Sequence, residues 1–168
     1  NEYNKANDIE NMVSLYSDVY LDSVGYSSGT VVKMLEANRK NAQITKSETE
    51  SIEAIDENIE KAVVNMAIME EGKEVPYTYT YAMIKEDDGW AVSPDGVIEC
   101  INVEAPEIVS GKLNIYLSKI IKLVDGYILR ADISNNSSEA YSFGKEGNLC
   151  EVVVETTEGQ YKTPMLEE

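Results

Sequence analysis

The sequence predicts an α+β fold, with amino-terminal helices on an antiparallel sheet and an all-β remainder. Three observations lead there. Apolar residues recur at helical spacing before residue 42, the period changes to two after Ile44, and from Val97 onward short apolar runs alternate with turn residues.

Taken in order, Asn7 followed three positions later by Glu10 has the pattern of a capping box. Ile9, Met12, Val13, Tyr16, Val19 and Tyr20 then form one apolar stripe, which predicts a single helix ending at Gly25. Ser27, Ser28 and Gly29 are a link, and a second helix is predicted over residues 30–42 with Val31, Met34, Leu35 and Asn38 on one side. Ile52 and Ala54 alternate with polar residues in a first strand, and residues 61–69 form a second, stopped by Glu70, Glu71 and Gly72. The third strand is predicted over residues 74–86. It sets Tyr77, Tyr79, Tyr81 and Met83 on one face and Thr78, Thr80, Ala82 and Ile84 on the other. Pro76 near its start fits an edge or first position. Glu86, Asp87, Asp88 and Gly89 form a hairpin turn in which the glycine supplies a positive φ. Trp90, Ala91 and Val92 begin the return strand, and Ser93-Pro94-Asp95-Gly96 breaks it. Beyond the break, apolar runs at residues 97–103, 112–124, 126–135, 140–144, 148–157 and 159–163 are predicted strands. The domain boundary therefore falls between residues 1–96 and 97–168.

Composition narrows the chemistry. The chain has 168 residues, 31 acidic against 14 basic, a net charge of −17 and no histidine. That charge argues against nucleic-acid partners and against docking on anionic lipid. The missing histidine removes the commonest general base and transition-metal ligand and excludes Ser-His-Asp and Cys-His arrangements. No apolar run reaches the roughly 20 residues that span a bilayer. No cofactor and no metal site are expected: Glu86 to Gly89 and Asp56 to Asn58 gather oxygen ligands, but neither follows the alternating pattern of a calcium loop. Cys100 and Cys150 could be bonded to each other, remain two buried thiols, or react, and spacing alone leaves the three open.

Thr78 to Ile84, the turn from Glu86 to Gly89, and Trp90 with Val92 carry a resemblance. Over residues 6–97 the chain resembles the nuclear transport factor 2-like domains of uncharacterised surface lipoproteins of Gram-positive bacteria. Asp125 to Leu129, Asn135-Asn136 and Tyr141 to Gly144 resemble the immunoglobulin-like β-sandwich that follows such domains. The resemblance implies a sheet that curls around the first helix and a second, sandwich-like domain. It also implies an exported protein held at the outer cell surface by a lipid anchor on a removed or unseen amino-terminal segment.

The candidate binding residues are Tyr77, Tyr79, Tyr81, Tyr16, Tyr20 and Trp90. In a strand the three alternate tyrosines share one face, where they either pack across neighbouring strands or line a concavity for an aromatic, sugar or peptide ligand. The function that follows is non-catalytic binding of a surface or cell-wall ligand or protein. A small-molecule isomerase or dehydratase is the alternative. It would need a tyrosine hydroxyl opposite a carboxylate, with Glu53, Asp56 and Glu74 as candidate bases. A structural spacer is a third.

Overall fold

In the computed structural model, the structure describes residues 8–39, 42–70, 72–87, 89–104, 107–110, 112–138, 151–156 and 159–164. Among the described residues, three helices come first: α1 (Ile9–Val13), α2 (Asp18–Val24) and α3 (Ser28–Arg39). Ten strands follow: β1 (Ala42–Ala54), β2 (Ile59–Glu70), β3 (Lys73–Glu86), β4 (Gly89–Ser93), β5 (Val97–Asn102), β6 (Ile108–Ser110), β7 (Leu113–Leu123), β8 (Gly126–Asn135), β9 (Glu151–Thr156) and β10 (Gly159–Pro164).

The predicted single first helix is two. Asp8 caps α1 by accepting from the Asn11 backbone N–H at 3.3 Å; Asn7, the predicted cap, lies outside the described residues. Ser17 starts α2 afresh by accepting from the Tyr20 N–H at 3.2 Å. Between them the chain turns to the sheet. The Ser17 N–H donates to the Val92 carbonyl at 2.9 Å, and the Val92 N–H donates to the Leu15 carbonyl at 2.7 Å. Those groups would otherwise serve the helix interior, so pairing with β4 interrupts it. Gly25 closes α2 in the left-handed conformation, φ 72°. Ile9 and Val13 of α1 and Val31 of α3 form the small helical core, with Met12, Tyr16, Leu21, Val32 and Leu35 around it.

Strands β1 to β4 form an antiparallel meander. Register opposes Ala62 to Tyr81, Val64 to Tyr79 and Met66 to Tyr77, so all six share one face. Pro76 opposes Ala67, and β4 pairs only with residues 82–86, so the proline lies where β3 has an open side. A kink at Pro94–Gly96 separates β4 from β5; Asp95 adopts φ 59° and Gly96 φ 71°. β5 then pairs with β7, which also pairs with β6 and β8, and β9 pairs with β10 in a separate hairpin.

The α+β expectation, with its immunoglobulin-like sandwich, is corrected here: the described residues are mostly β. The helices are short, and only Val31 of α3 is buried, whereas ten strands account for most of the described residues. The described strands after residue 97 do not form a sandwich of their own either. The Gly96 carbonyl accepts from the Val124 N–H at 2.8 Å, and Val97 and Ile121 are buried, which draws β5 and β7 to the residues before the kink. The chain divides into two compact units, one of residues 1–105 with 117–131 and the other of 106–116 with 132–168. The stretch 140–144 lies outside the described residues. In β8 Tyr127 is 67% exposed and Leu129 half-buried.

Candidate functional site

Four separate pieces of the first unit converge on the tyrosine face of β3. Strand alternation turns Tyr77, Tyr79 and Tyr81 to one side. The bridge between Tyr16 and Val92 holds the α1–α2 joint against β4 and delivers Tyr16; the first turn of α2 delivers Tyr20. Arg39 ends α3, and Asp95 projects from the kink after β4.

The rings form two groups. Tyr77 and Tyr79 stack with centroids 6.0 Å apart at 30°, and Tyr79 and Tyr81 follow at 6.5 Å and 47°. Tyr16 and Tyr20 meet edge-to-face at 5.4 Å and 85°. Charge interactions tie the groups together. Burial, then the neighbouring Tyr79 and Asp95, push the Tyr81 hydroxyl from 10.0 up to about 12, with Arg39 opposing. Burial raises Tyr16 further, helped by Tyr81 and Tyr20 and again opposed by Arg39. Tyr20 and Tyr79 are raised by burial and by Asp95, and Tyr79 also by Glu70. All four therefore stay neutral hydroxyls at physiological pH, able to donate and accept.

The two charged members are also perturbed. Partial burial lowers the Arg39 pKa, and its Nη2 donates to Met12 Sδ at 3.4 Å. Desolvation raises the Asp95 carboxyl, although the residue as a whole remains exposed, so it stays in contact with water. At the other end of the row the Tyr77 hydroxyl donates to Glu70 Oε1 at 2.9 Å, which raises its pKa. A broad groove of about 800 Å³ opens among Asp8, Ile9, Lys33, Glu36 and Arg39; Arg39 is the residue it shares with the aromatic cluster.

Of the sequence-predicted residues, Tyr16, Tyr20, Tyr77, Tyr79 and Tyr81 come together. Trp90 does not. It opposes Lys85 at the end of the β3–β4 hairpin, 44% exposed, and stands about 13 Å along the strand from Tyr81. The three candidate bases lie elsewhere. Glu74 points to the opposite face, accepting from Thr45 Oγ1 at 2.6 Å and Lys46 Nζ at 3.1 Å. Glu53 opposes Lys61 on that same far face, and Asp56 accepts from the Asn58 N–H in the β1–β2 turn at 2.8 Å. Sequence reasoning missed Arg39 and Asp95. The Pro94-Asp95-Gly96 break carried a signal, since aspartate before glycine tolerates a left-handed turn that can re-aim its side chain. Cys100 in β5 is half-buried; Cys150 lies outside the described residues, and with it any bond between the two.

No protein-family model matches this chain, and no curated protein is similar to it.

Proposed function

We propose that the chain is a non-catalytic binding module that holds its partner on the tyrosine face of the β1–β4 sheet. The observation that carries this is the convergence of Tyr16, Tyr20, Tyr79 and Tyr81 with Arg39 and Asp95, contributed by four separate segments. Half-buried tyrosines offer rigid apolar area with a polar tip, and a guanidinium and a carboxylate nearby supply orientation. An exported location at the outer cell surface is supported by the resemblance described above.

A thermal-shift screen of peptides, oligosaccharides, lipids and steroids tests the binding role. A true ligand raises the melting temperature as it saturates the folded state, and Tyr81→Leu abolishes the shift. A shift that survives Tyr81→Leu and Tyr79→Leu alike places the ligand elsewhere and defeats the proposal. Sequencing the encoding gene upstream tests the location; a cytoplasmic start without leader or lipidation cysteine overturns it.

Asp95 also favours one second reading. A carboxyl with a raised pKa, held at φ 59° beside neutral tyrosine hydroxyls, has the parts of an isomerase or dehydratase site. Proton exchange into a bound carbonyl ligand that disappears in Asp95→Asn, while the ligand still binds, would establish turnover.

A further inference from the structure

We infer that Asn135 is an acceptor for N-linked glycosylation, taking an oligosaccharide from a lipid-linked pyrophosphate donor. The inference is independent of the tyrosine face and rests on the exported location proposed above.

The sequence narrows the choice to two residues. Among all the asparagines of the chain, only Asn135 and Asn136 stand two positions before a serine or threonine, in the overlapping triplets Asn135-Asn136-Ser137 and Asn136-Ser137-Ser138. That triplet is the acceptor pattern of exported proteins. Both asparagines are exposed where β8 ends.

The structure separates the two. Oδ1 of the Asn135 carboxamide accepts from the Ser137 backbone N–H at 2.9 Å and from the Ser137 hydroxyl at 2.8 Å. Among the described residues, no hydrogen bond joins the Asn136 side chain to Ser138. The Asn136 backbone is fixed instead: its N–H donates to the Lys112 carbonyl at 2.8 Å, which holds the turn in place.

These bonds bear on the chemistry. An amide nitrogen is a poor nucleophile, because its lone pair is delocalised into the carbonyl. Two donors on Oδ1 stabilise negative charge there and make the Asn135 Nδ2 protons easier to remove. In the transfer, Nδ2 attacks the anomeric carbon of the first sugar. The bond from that carbon to the pyrophosphate oxygen breaks, the lipid pyrophosphate leaves as an anion, and one Nδ2 proton passes to a base of the transferase. Nothing is oxidised or reduced. Asn136 lacks both donors, so the two triplets are unequal acceptors although they match the same pattern.

The test incubates the folded full chain with an oligosaccharyltransferase and a lipid-pyrophosphate-linked oligosaccharide, with a free peptide of residues 132–138 as positive control. Intact mass and peptide mapping read the site. One glycan at Asn135 is expected. Ser138→Ala, which removes only the Asn136 triplet, should leave it unchanged. Ser137→Ala leaves Asn136-Ala-Ser intact, yet total modification should fall at least about tenfold, with folding checked by circular dichroism. Transfer to Asn136, equal transfer to both, or a glycan that moves to Asn136 in Ser137→Ala overturns the inference. So does a folded chain left unmodified while the peptide is glycosylated. Mapping the chain isolated from its source is the second arm. An unmodified Asn135 there overturns the inference, and the absence of a processed leader from that same sample removes the exported location with it.

Discussion

At Gly96 two demands coincide. Its φ of 71° is one that side chains rarely adopt, and an added Cβ would come within 2.8 Å of Val124 Cγ2. Gly96→Ala should destabilise the fold by about 2 kcal/mol in urea denaturation, and Val124→Ala in the same chain should recover only the steric part. The tyrosines make a different prediction. Tyr81 ionises near 10.0 when solvated but near 12 in the fold, so the folded state holds the proton more tightly. The stability this gives is complete below pH 10, is lost as the pH rises through about 12, and is absent in Tyr81→Phe. Spectrophotometric titration of tyrosinate should show Tyr16 and Tyr81 among the last to ionise, and Tyr81→Phe should flatten the alkaline loss of stability.

Among the elements, α2 depends on its cap. Ser17 is fully buried and its hydroxyl accepts from the Tyr20 N–H, so Ser17→Ala should cost about 1 kcal/mol in chemical denaturation and loosen the Tyr16–Tyr20 pair. The strands were the legible elements. Alternation of Tyr77, Tyr79 and Tyr81 with threonines, and the glycine turn at Gly89, locate β3 and β4 within a residue or two of the observed ends. The helical stripe from Ile9 to Tyr20 misled because its break is a tertiary event: the backbone at Leu15 and Ser17 pairs with Val92, far along the sequence. Asp95 escaped for a similar reason. A turn sequence announces a change of direction, but which rings lie across from it depends on how β4 bends into β5. The sandwich failed because apolar runs report strands without reporting their partners, and β7 pairs with both β5 and β6.

For the whole molecule, a net charge of −17 over 168 residues means self-repulsion in the folded state. Raising the salt from low ionic strength should therefore lift the melting temperature by a few degrees in scanning calorimetry, until screening is complete near the ~3 Å Debye length of 1 M salt. A different consequence follows from the clasp between Leu15, Ser17 and Val92. The β2–β3 ladder joins its strands from end to end, whereas among the described residues the joint of α1 and α2 is clasped to β4 by two backbone hydrogen bonds, with α2 packed on β5 and the Lys119 Nζ donating to the Asp22 carbonyl. Under tension from its amino-terminal side, the molecule would part its helices from the sheet before it parted β2 from β3. Tyr16 and Tyr20 would leave with them, so mechanical load alone would dismantle half of the aromatic cluster.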